Sequence, residues 1–136
     1  MGRFTDDYLL YLAAQASAAL SAEFHGWLAS RGVPVSTWRI LASLYPDAAL
    51  TIGELSEACL AKQPTMTRIV DRLVAQGLVR RADDAADRRR VSVSLTPEGL
   101  ALAEGLVAEA REHEARALSP AKAAALKRTL REILRR

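Results

Sequence analysis

Gln63, Thr65, Thr67 and Arg68 crowd four hydrogen-bonding side chains into little more than one helical turn, beside Lys62 and Pro64. Further on, Asp87-Arg88-Arg89-Arg90 sets three guanidinium groups next to one carboxylate. Amide, hydroxyl and guanidinium groups at a helix start match the base edges exposed in the major groove of duplex DNA, which admits one helix. The unpaired N–H groups at the same helix start suit a phosphate. Arginines on a loop suit a narrow minor groove, where negative potential concentrates and no base-specific bond is required. On this reading Gln63, Pro64, Thr65, Thr67 and Arg68 open a helix that enters the major groove, while Lys62 and Arg72 hold phosphates. Arg88 and Arg89 reach the minor groove, steadied by Asp87. The bland alternative is an amphipathic helix with a solvated face, followed by a soluble loop; it is the order of the flanking elements that favours DNA.

Those elements are legible. Apolar residues Leu9, Leu12, Ala13, Ala16, Leu20, Phe24, Trp27 and Leu28 recur at three- and four-residue spacing, predicting a first helix from near Asp6 to Ser30, with Asp6 and Asp7 at its positive end. Gly32 and Pro34 end it, Ser36 is placed to cap a second helix, and Pro46 stops that one. Thr51 and Glu54 have capping-box spacing and predict a helix of about two turns. A tight turn follows, and Pro64 is expected at the first position of the next helix, which closes at Gly77. In that helix Met66, Ile69, Val70 and Leu73 form the inward face. Leu78–Arg81 and Val91–Leu95 read as two strands, with the polar run ADDAADRRR between them. Thr96-Pro97 starts a long helix reaching about Ala117, and Ser119-Pro120 starts a last one with Leu126, Leu130, Ile133 and Leu134 on one side.

Composition bounds the function. At 136 residues, rich in Ala and Leu and carrying only two Trp, three Tyr and two Phe, the chain fits one mostly helical domain. The net charge is +3 and unevenly spread: residues 62–90 carry eight basic against four acidic side chains, whereas residues 1–61 carry three against six. No apolar run approaches the roughly 20 residues a membrane span needs, so no membrane partner is expected. A single cysteine, Cys59, fits a reducing cytoplasm and reads as a buried thiol. His25, His113 and one cysteine make no metal set, and there is no nucleophile–base pair or glycine-rich phosphate loop. No cofactor and no enzymatic activity are expected.

The run TRIVDRLVAQGLVRR…DDAADRRRVSVSLTPEG resembles the MarR (multiple-antibiotic-resistance regulator) family of winged-helix regulators. The resemblance rests on Thr67, Arg68, Asp71, Leu73, Gly77, Leu78, Val79, Asp87, Arg89, Leu95, Thr96 and Gly99, and on helix order along the whole chain. It implies a cytoplasmic, sequence-specific repressor, a homodimer built by the first and last helices, on a near-palindromic operator. The apolar stripes agree, because Leu9, Leu12, Leu126, Leu130, Ile133 and Leu134 are hard to bury within one small lobe and a two-fold partner is the commonest solution. An intramolecular helix pair is the alternative. The resemblance also implies a small-molecule effector, often an aromatic or phenolic acid, that weakens DNA binding. Tyr8, Tyr11, His25, Trp27, Trp38 and Arg39 are the candidate lining, since aromatic walls plus one cation suit an organic carboxylate; core packing is the alternative for the tryptophans.

The expected architecture is therefore mainly α with a small β-hairpin wing: a winged helix-turn-helix with long N- and C-terminal dimerisation helices. It is one MarR-like domain over 1–136, with dimerisation helices at 1–33 and 97–136 and a DNA-binding lobe at 34–96. A winged-helix module that docks a protein without touching DNA is the rival function. Arg88–Arg90 argue against it, because protein interfaces exclude unpaired charge from their centres.

Overall fold

The computed structural model describes residues 2–87 and 89–135. Its elements are α1 (Leu9–Ser30), α2 (Val35–Leu44), β1 (Leu50–Thr51), α3 (Ile52–Cys59), α4 (Gln63–Ala75), β2 (Val79–Asp83), β3 (Val91–Leu95), α5 (Pro97–Ala117) and α6 (Pro120–Leu134). The expected class holds, mainly α with a small hairpin, in a winged helix-turn-helix order. The chain divides into two compact units: His25–Val107, and the residues up to Phe24 together with those from Ala108 on.

The His25–Val107 unit owns the hydrophobic core. Leu28, Ile40, Leu41, Leu44, Leu55, Met66, Val70, Leu73, Val79 and Val93 are fully buried, each stabilising the fold by roughly 1.5–3 kcal/mol. α3 packs on both α2 and α4, so the last of these presents its polar side outward. Of its expected inward residues Ile69 is only half-buried; the other three are in the core. The turn between α3 and α4 is closed by Leu60 in the left-handed conformation (φ 55°), with the Ala61 N–H donating to the Ser56 carbonyl at 3.0 Å. This is the usual glycine position of such a helix stop. Leu60 is 93% exposed, so its side chain packs on almost nothing.

Three element starts differ from expectation. α1 begins at Leu9, because the Asp6 carboxylate instead accepts from the Arg3 backbone N–H (3.0 Å) and closes a separate 3-10 turn over Phe4–Asp6. α2 begins at Val35, not after Ser36: the ring of Pro34 fixes its φ at −61° and an extended ψ makes Pro34 the cap residue, leaving Ser36 inside the helix. α4 begins at Gln63, which moves Pro64 one place along in the first turn. The sheet also gains a strand: β1 pairs antiparallel with β3 (Leu50 opposite Val93, Thr51 opposite Ser92), and β3 pairs with β2 from Val79 opposite Leu95 to Asp83 opposite Val91. β2 thus runs two residues beyond the expected Arg81.

The root of the hairpin is a tight backbone crossing. The Thr96 N–H donates to the Leu78 carbonyl (3.1 Å), the Thr96 hydroxyl to the Gly77 carbonyl (2.6 Å), and the Gly99 N–H to the Thr96 hydroxyl oxygen (3.0 Å). Gly77 has φ +75°, which only glycine adopts without cost. A Cβ on residue 99 would overlap the Leu78 carbonyl oxygen and stand 2.9 Å from its carbon.

The second unit is built differently. Phe24 is its one buried side chain among the described residues, with the His113 ring 5.9 Å away. Ser119 caps α6 by accepting from the Lys122 N–H at 3.3 Å, and Lys127 bridges to Glu114 at 2.8 Å. Leu9, Leu12, Leu126, Leu130, Ile133 and Leu134 are all exposed, Leu134 at 82%. Phe4, Tyr8 and Tyr11 form an exposed run of rings with centroid spacings of 4.9 and 5.9 Å.

The crossing makes a firm demand on residue 99. Gly99→Ala is expected to lower stability by about 2–3 kcal/mol through overpacking against backbone that has no rotamer to give. A urea titration followed by circular dichroism checks it; a midpoint within error of wild type would show that the crossing relaxes freely.

Candidate nucleic-acid interface

The capping box at the start of α3 forms as expected: the Glu54 N–H donates to the Thr51 hydroxyl oxygen (3.1 Å), and the Thr51 N–H to the Glu54 carboxylate (3.4 Å). α3 in turn seats α4. On α4, Lys62, Gln63, Thr67 and Arg68 are exposed and Thr65 is half-buried. Thr65, Arg68, Ile69 and Arg72 border one shallow cleft of about 250 Å³. Another, of about 480 Å³, runs past Gly53, Glu57, Leu60, Lys62 and Gln63. The polar groups at the helix start are therefore assembled on one accessible surface. Neither Lys62 nor Arg68 makes an ion pair with a described residue.

Other cations of this stretch are engaged. Arg72 donates to the buried Thr37 hydroxyl of α2 (3.4 Å), so this guanidinium also locks α4 onto α2. Arg81 of β2 forms a close ion pair with Asp71 of α4, joining that helix to the hairpin. Arg80 donates to the Ser94 hydroxyl across the sheet (3.4 Å).

The described residues of the loop between β2 and β3 are held by the loop's own carboxylates. Asp84 accepts from the Ala86 N–H (2.8 Å), and its N–H donates to the Arg90 carbonyl (2.9 Å). Asp87 accepts from the Arg89 N–H (3.0 Å) and faces the Arg89 side chain at 3.5 Å. That side chain remains 95% exposed. Arg88, the other arginine assigned to the minor groove, lies outside the described residues. Arg90 is turned inward, to Glu54 at 2.6 Å and Asp84 at 3.9 Å. Neither this link nor Arg81–Asp71 was foreseen from the sequence. Glu54 is visible there only as a cap, and Arg90 only as one of three like arginines.

The six candidate effector residues are split between the units. Tyr8 and Tyr11 lie in the exposed ring run of the second unit, whereas His25, Trp27 and Trp38, half-buried, and Arg39, exposed, lie in the first. The Arg31 guanidinium stands 5.0 Å over the Trp27 ring. A cavity of about 650 Å³ between the end of α5 and α6 is lined by none of the six. Cys59 is buried, its sulfur 3.7 Å from the Ser43 hydroxyl. No helix among the described residues is long and apolar enough to cross a membrane.

Comparison with known proteins decides the class. The MarR family model matches residues 31–90. A MarR family transcriptional regulator from Silicibacter pomeroyi is 43% identical and superposes with a TM-score of 0.85 over 98% of this chain and 99% of its own. The chain belongs to the MarR family. FarR of Neisseria gonorrhoeae, an HTH-type transcriptional regulator, is 34% identical over 72% of this chain and 67% of its own length. Two other curated regulators of this kind are matched over 50% and 60% of their lengths. Bordetella bronchiseptica BpsR is 27% identical, with a TM-score of 0.78 over 98% of this chain and 96% of its own; its DNA binding is regulated by 6-hydroxynicotinic acid. The winged helix-turn-helix described above is accordingly that of a DNA-binding transcriptional regulator.

The cap carries a pH dependence. Bonds from the Thr51 hydroxyl and backbone N–H hold the Glu54 carboxyl below the ordinary glutamate range, against desolvation and with smaller help from Arg90. A carboxylate with a lowered folded pKa stabilises above its unfolded pKa and loses that contribution as pH falls through the folded value. Lowering the pH from about 6 to about 3 is thus expected to speed amide exchange in the first turn of α3 before the core opens. Nuclear magnetic resonance exchange rates check it; simultaneous loss of all protection would refute a local effect.

Proposed function

We propose that this protein is a homodimeric repressor that occupies a near-palindromic operator in the cytoplasm and is released by a small aromatic acid. The observation that carries the reading is the pairing, on one compact unit, of an accessible α4 start with the 95%-exposed guanidinium of Arg89, held by Asp87. Lys62 meets a phosphate beside the N-terminus of α4, and Gln63, Pro64, Thr65, Thr67 and Arg68 face base edges. Arg89, with Arg88, enters the minor groove, and Asp87 restrains Arg89. Arg72 serves a phosphate only with the donors that Thr37 leaves free.

The second unit supports the dimer reading. Six exposed apolar residues on α1 and α6, with Phe24 the one buried side chain among the described residues of this unit, make a surface that a lone chain in water does not keep. A second copy covers it symmetrically and spaces two reading heads for two half-sites. The effector reading draws on BpsR and on the aromatic and cationic residues Tyr8, Tyr11, His25, Trp27, Trp38 and Arg39, whose chemistry suits an aromatic carboxylate.

Selection of duplexes from a random pool by the purified full chain tests the central claim. The expected consensus is dyad-symmetric, and its binding falls steeply with added salt as counterions are released. Failure to enrich any duplex at low salt would return the protein-docking alternative. Arg68→Ala is expected to reduce discrimination between selected and random duplex by about 1–3 kcal/mol, as for a lost base contact. Equal losses on both would make Arg68 a phosphate contact. Leu130→Glu is expected to convert a sedimenting dimer into monomer and to abolish tight binding to the two-half-site duplex. A dimer that survives would exclude the Leu130 face of α6 from the interface.

A further inference from the structure

We propose that Glu54 is a positioning residue for the wing: its ion pair with Arg90 ties the β2–β3 loop to the start of α3, so that Arg89 meets the duplex in one orientation. This rests on the DNA-binding reading above, and it concerns two residues that touch no nucleotide in it.

The geometry is a chain of short links. One Glu54 oxygen, Oε1, accepts from the Thr51 N–H (3.4 Å), the Thr51 hydroxyl (3.0 Å) and the Arg90 guanidinium (2.6 Å). Thr51 is at once the last residue of β1, paired with Ser92 of β3, and the cap of α3. Glu54 is thereby fixed to the sheet and the helix together before Arg90 reaches it. Arg90 carries the constraint outward: its Nε faces Asp84 at 3.9 Å, its carbonyl accepts from the Asp84 N–H, and its own N–H donates to the Asp87 carbonyl (2.9 Å). Asp87 holds the backbone N–H of Arg89. Every restraint described on Arg89 thus passes through Asp87, whose neighbour in the network is Arg90.

The three wing arginines therefore do different work. Two carboxylates occupy Arg90, and its side chain is half as exposed as that of Arg89, 45% against 95%. An arginine that aims another does not need the groove itself. The pair is solvent-accessible and contributes little to global stability. Its effect is local, because loop geometry decides whether a flexible guanidinium pays its ordering entropy before or during binding.

Glu54→Gln removes the charge from the pair while keeping an acceptor for the Thr51 N–H, since glutamine also serves at the third position of a capping box. Simple electrostatics predicts that removing a carboxylate near DNA tightens binding. Positioning predicts the reverse. The variant is expected to melt as wild type, to bind its selected duplex two- to fivefold more weakly, the range an exposed ion pair allows, and to lose hydroxyl-radical protection in the flanking minor groove. The double variant Glu54→Gln with Arg90→Gln keeps the wild-type net charge and is expected to show the same loss, not the product of two. Without DNA, amide exchange at residues 84, 89 and 90 is expected to rise in Glu54→Gln while α4 is unchanged. Unchanged exchange overturns the clamp. Raised exchange with unchanged or tighter binding overturns its role in positioning. A wild-type protein that enriches no duplex fails the DNA reading, and the exchange measurement still decides whether the clamp exists.

Discussion

The carbonyl of Leu78 is the point on which the recognition surface depends. It receives the Thr96 N–H and lies where any side chain on residue 99 would have to be. Three elements meet there: α4 has just ended at the left-handed Gly77, β2 is about to start, and α5 begins one residue after Thr96. The Thr96 hydroxyl donates to Gly77 and accepts from Gly99, so one side chain closes the helix stop, the hairpin root and the next helix start. Both ends of the hairpin are consequently fixed to the frame that carries α4. Without that crossing the loop would be a tether of uncertain direction; with it, a few ion pairs suffice to set the tip.

Those ion pairs are graded by distance from the root. Arg81–Asp71 joins the first strand to the recognition helix near the base, and Arg90–Glu54 joins the far end of the loop to α3. Between them Asp71, Asp84 and Asp87 of the basic stretch are engaged in shaping it. Exposed pairs of this kind add little to folding free energy. Their value here lies in orientation, since an arginine held in place loses less entropy on meeting a phosphate-lined groove.

Much of this was legible in the sequence because local rules and tertiary structure agree. Thr51 with Glu54, Thr96 with Pro97, Ser119 with Pro120 and the left-handed Gly77 each announce a helix boundary by the groups they satisfy, and each boundary is found where its residues place it. Expectation failed where a boundary depended on competition. Asp6 had two possible uses, the start of α1 or a turn with Arg3, and spacing could not rank them. Ser36 has the right chemistry for a cap, yet Pro34 already has the cap conformation. β1, two residues long, exists only because β3 offers a partner edge, which no window of sequence displays. Leu60 is the reverse case: a leucine stands where the backbone calls for glycine, so the sharp turn was placed by its flanks alone. The candidate DNA surface was visible as residue types. The division of labour among its arginines was not, because Glu54 and Arg90 are 36 positions apart.

A net charge of only +3 is small for a protein that must find DNA, and the internal pairing explains how it suffices. Non-specific affinity scales with the number of phosphates neutralised, whereas specificity depends on which groups reach base edges and in what geometry. Arg81 and Arg90 are turned inward to carboxylates, and Arg72 is partly committed to Thr37. Among the described cations of residues 62–90, Lys62 and Arg68 make no ion pair, the Arg89 side chain is 95% exposed, and Arg80 bonds only to the Ser94 hydroxyl. A surface whose other basic groups are engaged by the protein itself is expected to bind random duplex weakly and to gain most where helix and wing engage together. Two copies double that advantage only if their reading heads are fixed in spacing. In the proposed dimer, covering the exposed leucines of α6 would meet the same demand for geometry over charge.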